Sequence, residues 1–295
     1  MLEEKDIEAI GKILGSWAAL ASHFIGECFD YSRPFIEVNS DCWDPQVRFV
    51  STQLYIDCHL TSESVLILIN AIKEWDADLI CRSVIEGTIK YVYMLTGRNE
   101  EKLIKAREYW CILPSFSSIK RSERLKRFFE VVSNPESSEW RAYRELILND
   151  VEVESIRKGY TRVERQEMEE RWSFAGITKQ LSQSEDPVLR ETTILAHGYG
   201  MSSHLLHKDG VGVSIVRDRM GRELEHEEAI KLAHAARIVS DICFFSELRL
   251  RYLLKIHGEN TNFLNELRGK YSLLFEQTRN ALKSFNKSEY ETELP

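Results

Sequence analysis

The chain has 295 residues, 43% of them hydrophobic, and 39 Lys and Arg against 47 Asp and Glu give a net charge of −8. That balance excludes wholesale disorder and disfavours non-specific binding to nucleic acid or anionic membranes. Glycine (14) and proline (6) are scarce, which favours long helices, and six cysteines with no Cys-x-x-Cys pair make neither a disulfide nor a zinc framework.

The start, Met1 to Asp6, is acidic where a signal peptide is basic. The most apolar stretch, Ser64 to Ile72, is far shorter than the roughly 20 residues a bilayer requires. The expectation is a cytoplasmic protein with no membrane contact.

Pro34, Pro45, Pro114, Pro135 and Pro187 punctuate segments with helical periodicity. A first helix is predicted over about 4–29, with Ile7, Ile10, Ile13, Leu14, Trp17, Leu20, Ala21 and Phe24 on its apolar face. The turn-rich stretch from Ser32 to Asp44 reads as a loop, and Pro45 as the first turn of a helix to about His59. A further helix spans about 62–75. The next is capped by Asp76 or Asp78 and ends near Gly97. Helices over about 100–113 and 116–133 divide at Pro114. Residues 137–171 form a charged helical excursion, with 7 basic and 8 acidic residues between Arg141 and Arg171. A helix from Asp186-Pro187 runs to His207 and stops at Lys208-Asp209-Gly210. The alternating segment 211–224 is the one place for a short β-hairpin. Long helices at 225–256 and 261–285 complete an all-α, multi-helix bundle read as a single domain over 1–295.

Three polar constellations interrupt the apolar pattern. Tyr199, Ser203 and His207 form one stripe at four-residue steps, with Arg190, His197 and His204 on the other side of the same helix. Two glycines flank Tyr199 and point to a kink or a close helix contact. Arg82, Glu86 and Lys90 lie at the same four-residue steps among apolar residues, as a surface ladder or as the lining of a pocket. Lys120, Arg124 and Arg127 share a face that suits phosphates, although such a run more often is a solvated surface. His204, His207 and Asp209 have the spacing of metal ligands, yet no established metal, phosphate-loop or nucleophile-elbow motif occurs, so no metal or cofactor is expected.

Arg82-x-x-x-Glu86, Trp172-Ser-Phe-Ala-Gly-Ile and Tyr199-x-x-x-Ser203-x-x-x-His207-x-Asp209, in that order, resemble a bacterial family of all-helical proteins known only as a domain of unknown function. That family is similar to the HEPN-like and abortive-infection proteins. The resemblance covers about 70–215. It implies a metal-independent endoribonuclease effector in a defence or toxin–antitoxin setting, acting on RNA. Arg82 and His207 would be its central pair, with Glu86, Ser203 and Tyr199 in support. HEPN proteins carry Arg-x(4–6)-His, which Arg190 and His197 match at its upper limit and which His207 lacks. A second reading is a non-catalytic partner-binding or ligand-sensing module whose polar residues form a buried network. The helix packing of the 78–96 segment against 188–207 is expected in either case. So is a homodimer, from the resemblance and from Phe244, Phe245, Leu248 and Leu250, which spread around their helix.

Overall fold

The computed structural model describes residues 4–37, 42–191, 194–220 and 224–290. Its helices are α1 (Glu4–Glu37), α2 (Pro45–Asn70), α3 (Glu74–Leu95), α4 (Asn99–Arg107), α5 (Leu113–Val131), α6 (Arg141–Arg144), α7 (Asp150–Gly159), α8 (Arg162–Arg171), α9 (Phe174–Leu181), α10 (Pro187–Glu191), α11 (Leu195–His207), α12 (Gly210–Met220), α13 (Leu224–His257), α14 (Asn262–Lys270) and α15 (Ser272–Tyr290). A π turn, Glu108–Ile112, joins α4 to α5, and a 3-10 turn, Ser138–Trp140, precedes α6. The described residues contain no strand, so the chain is all-α.

Helices α1, α2, α3 and α13 pack into the central bundle, and α15 closes against α13 and α1. Helix α13 is the axis. Its Phe245, Leu248 and Leu250 are buried within the chain, and Phe244 packs on the same core. Their spread around the helix is therefore explained by neighbours on several sides and gives no ground for a second copy.

Several boundaries differ from the sequence expectation, each for a local reason. Helix α1 runs through Pro34 because its buried face continues at Ser32 and Ile36, while Tyr31 stacks on Phe263 at 3.8 Å. Helix α2 is unbroken at residues 60–61. The hydroxyls of Thr61, Ser62 and Ser64 donate to carbonyls four residues back, and the buried face continues through Cys58, Ser62, Val65 and Leu66, so the helix runs on. Asp78 caps nothing; it is buried one turn inside α3. Pro114 is absorbed by the π turn and by its place in the first turn of α5. Tyr271 divides the last expected helix into α14 and α15, its ring buried and its hydroxyl donating to Glu27 at 2.5 Å.

The hairpin expected at 211–224 is instead α12. Asp209 Oδ1 accepts from the Gly212 amide at 3.0 Å, as a helix-starting residue does, and Val211 and Val213 are exposed. Gly212 is required at this corner, since a Cβ there would stand 2.3 Å from the His204 carbonyl oxygen. Helix α11 ends at Lys208, in left-handed backbone (φ 52°), and Gly210 opens α12. The stretch 187–207 forms two helices, α10 and α11, and residues 192–193 between them lie outside the described ones. In the charged excursion, α6 and α7 bury no residue and α8 buries only Met168.

Among the described residues the fully buried charged side chains are paired with one exception. Asp78 of α3 accepts from His234 Nε2 at 3.0 Å and from Arg237 at 2.7 Å, and Arg237 also reaches Asp241 at 3.2 Å. Burial works against the Asp78 carboxylate, yet His234 and Arg237 hold it below the usual carboxylate range. Burial pushes Asp241 up to about 6. Arg249 is the exception. Only 1% exposed, it donates to Thr88 Oγ1 at 2.7 Å and Ser246 Oγ at 3.0 Å, with no carboxylate in ion-pair range among the described residues.

Two predictions follow from this packing. A Cβ on Gly87 would lie 2.5 Å from Cys58 Sγ, so the Cys58 side chain of α2 fills the place a side chain on α3 would need. Gly87→Ala is expected to cost about 1–3 kcal/mol in urea unfolding. Adding Cys58→Ala should recover part of that loss; strictly additive costs would show that the sulfur is not the obstacle. For Asp241, the folded-state pKa lies above the unfolded one, so its contribution to stability is present at low pH and is lost as pH rises from 3.8 to about 6. At pH 7, Asp241→Asn should therefore be more stable than wild type by up to about 3 kcal/mol, with the difference vanishing near pH 3.

Candidate functional site

Helix α3 packs against both α9 and α11, and the polar residues of α3 and α11 meet there. Arg82 Nη2 donates to the Tyr199 hydroxyl at 2.8 Å, and that hydroxyl donates to Glu86 Oε2 at 2.8 Å. Lys90 Nζ donates to Glu86 Oε1 at 2.6 Å. Sequence spacing places Arg82, Glu86 and Lys90 on one face of α3, and the tyrosine of the facing helix closes the chain of hydrogen bonds.

The Tyr199 ring is fixed from both sides. Phe174 of α9 stacks on it at 3.7 Å with 9° between planes, and the Arg82 guanidinium carbon lies 4.2 Å from its centroid. Two groups so near the centroid cannot share a face, so phenyl and cation sandwich the phenol. Phe174 comes from the Trp172-Ser-Phe-Ala-Gly-Ile segment, and Trp172, Ser173 and Gly176 of that motif hold it in place. Trp172 Nε1 and Arg171 both donate to the buried Glu108, at 2.7 and 2.6 Å. Ser173 accepts from the Gly176 amide at the start of α9. Gly176 must lack a side chain, because a Cβ would lie 2.1 Å from the Glu170 carbonyl oxygen. The stack on Tyr199 went unread in the sequence; only the motif signalled it.

The site is half-open. The Glu86 and Lys90 side chains are 33% and 23% exposed. Burial alone would raise the Glu86 carboxyl, but Lys90, the Tyr199 hydroxyl and Arg82 hold it below its ordinary value. Tyr199 moves the other way: burial and the neighbouring Glu86 raise it, with Arg82 opposing. Arg82 Nη1 is buried and has no hydrogen-bond partner among the described residues.

The other sequence candidates stand apart from this cluster. His207 is exposed in the last turn of α11, two turns beyond Tyr199, and makes none of these hydrogen bonds. Ser203 is half-buried between them on the same helix. His204 Nδ1 pairs with Asp209 Oδ2 at 2.6 Å. No group of three His, Cys, Asp or Glu able to hold a metal occurs among the described residues. Arg190 is exposed at the end of α10, and the His197 side chain lies outside the described residues. The basic run of α5 faces the charged excursion. Lys120 pairs with Glu169 at 2.6 Å, Arg124 donates to the Lys120 carbonyl, and Arg127 is exposed. Neighbouring Glu123 and Lys126 pair with Arg157 and Asp150.

No family model, curated protein or solved structure matches the chain. No described helix is long and apolar enough to cross a membrane.

Tyr199→Phe leaves Glu86 its bond from Lys90 but strips Arg82 of the acceptor of Nη2. A loss of about 1 kcal/mol in urea unfolding at pH 7 is expected. Because the Glu86 pKa is lowered on folding, its contribution is present above the unfolded value of 4.5 and is lost as pH falls through the lower folded value. A stability gap between wild type and Glu86→Gln should accordingly be present at pH 7 and close at acid pH; a gap independent of pH would mean the charge of Glu86 is not what the site uses.

Proposed function

We propose that the α3–α11 site engages a phosphodiester of RNA and that the chain is a metal-independent endoribonuclease. The observation that carries this reading is the buried, partnerless Arg82 Nη1 beside a half-open cluster. An unsatisfied buried donor costs about 1–3 kcal/mol, and a phosphate oxygen is the acceptor that a guanidinium fits best. In RNA cleavage that guanidinium would stabilise the charge that builds on the pentacoordinate phosphorus.

Proton transfer has to come from elsewhere. Glu86 is held ionised and both its oxygens already accept hydrogen bonds, while the Tyr199 proton is committed to Glu86. His207 is left as the group that takes the 2′-hydroxyl proton as the 2′-oxygen–phosphorus bond forms and returns it to the 5′-oxygen as that bond breaks, with Ser203 one turn from it toward Tyr199. Tyr199, which Arg82 contacts, and His207 are eight residues apart, about 12 Å along one helix, so α11 itself must shift for Arg82 and His207 to act on one phosphodiester.

That gap favours a second reading. Arg82, Tyr199, Glu86 and Lys90 satisfy one another without His207, as a network that pins α11 to α3 in a partner-binding or ligand-sensing module would. The two readings separate when purified protein is incubated with total RNA, with and without EDTA, beside folded Arg82→Ala and His207→Ala. The nuclease reading expects cleavage to 2′,3′-cyclic phosphate ends and a loss of about a hundredfold or more in either variant. Silence of the folded wild type supports the module. Cleavage that survives both substitutions moves the site to Arg190 and His197, and cleavage abolished by the chelator moves it to His204, His207 and Asp209.

A further inference from the structure

A cavity of about 350 Å³ opens where the α2–α3 turn meets the first turns of α13, lined by Ile72, Glu74, Trp75, Ile230, Lys231 and His234 among others. It lies at the other end of α3 from Lys90 and takes no part in the site above. Its inner wall is polar and low in exposure. The Glu74 side chain is 7% exposed and Lys231 24%, and their charged atoms face each other at 3.9 Å. That separation is an ion pair but too long for a hydrogen bond. Among the described residues Glu74 accepts no hydrogen bond and Lys231 donates none. A buried carboxylate and an ammonium thus stand side by side, electrically matched, with their hydrogen-bonding capacity unspent.

The rest of the wall is aromatic and fixed. Trp75 meets the His234 ring edge-on at 4.8 Å, and Asp78 holds His234 by Nε2 at 3.0 Å. Ile72 supplies the apolar rim from left-handed backbone (φ 58°), which a β-branched residue rarely adopts. Helix ends commonly place Gly at such a position, and this one keeps a side chain.

We propose that this cavity binds a neutral, polyhydroxylated ring: a free sugar or the ribose of a nucleoside. Glu74 and Lys231 cancel each other on the inner wall, and with Lys73, Asp76 and Glu227 also lining the cavity one negative charge is in excess, so an anion gains nothing from entering. A hydroxyl, which donates and accepts through one oxygen, bridges Lys231 and Glu74 as no single-function group does. The indole of Trp75 provides the flat apolar surface against which the C–H face of such a ring packs. The volume suits a single ring or a nucleoside and is too small for an oligomer.

Saturation-transfer NMR on the full chain tests this with D-glucose, D-ribose and adenosine, and with putrescine and inorganic phosphate as charged probes. Ring protons of at least one sugar probe should receive saturation from the protein. Trp75→Ala and Glu74→Gln, each with unchanged far-UV circular dichroism, should weaken that binding by about tenfold or more. Lys231→Met gives the same reading should either variant fail to fold. Adenosine binding more tightly than ribose identifies the nucleoside as the source, and glucose binding identifies the free sugar. Absence of transfer to all three, affinity unchanged in the folded variants, or preference for putrescine or phosphate overturns the proposal.

Discussion

Helix α3 carries a charged residue at every fourth position, and burying that stripe is the constraint the bundle answers. Glu74, Asp78, Arg82, Glu86 and Lys90 lie among Ala77, Cys81, Val84, Ile85 and Ile89, which are fully buried. Taking ions out of water costs several kcal/mol each unless partners are in place. The partners come from two other helices: Lys231, His234 and Arg237 on α13 for the first two charges, and Tyr199 on α11 for the middle pair. A four-residue step advances about 40° beyond a full turn, so the stripe winds round α3 and faces α13 at one end and α11 at the other. Sliding either neighbour by one turn would leave several of these charges unpaired. Polar pairing thus sets the register that apolar packing alone tolerates loosely.

The class of fold was legible because helical periodicity repeats over most of the chain, and so were the four-residue stripes on α3 and α11. Their meeting was expected too, since Arg82 and Tyr199 are polar intrusions on otherwise apolar faces and each requires a partner. What could not be read depended on residues distant in sequence. Pro34 reads as a helix breaker until Tyr31 is seen stacked on Phe263. Val211, Val213 and Val216 read as a strand until Asp209 is seen to open a helix, and Asp78 reads as a cap until His234 and Arg237 surround it. Arg249 was silent altogether, because a single arginine in an apolar helix carries no sign of whether its end meets water. Its burial is set by Thr88 and Ser246, two hydroxyls with no charge to announce them.

The α9 segment shows how a short motif can serve a site without entering it. Glu108, at the π turn between α4 and α5, gathers Arg171 and Trp172, and so anchors the start of α9 at a fixed place over α3. Phe174 then presses on one face of Tyr199 and leaves the other to Arg82. The hydroxyl is aimed by the rings around it as much as by its hydrogen bonds. A π turn inside a helix is usually retained for a local purpose, and here the widened turn sets Glu108 at the junction of three helices.

The position of α13 in the chain bears on synthesis. The helix at the centre of the bundle begins at Leu224, whereas the face of α3 that it covers is finished by Leu95. At about 5–20 residues per second, on the order of ten seconds pass on the ribosome between the two. Throughout that interval Asp78, Thr88 and the apolar residues between them have no α13 to cover them. The nascent chain is thus exposed to misassociation for as long as it takes to make α4 to α12.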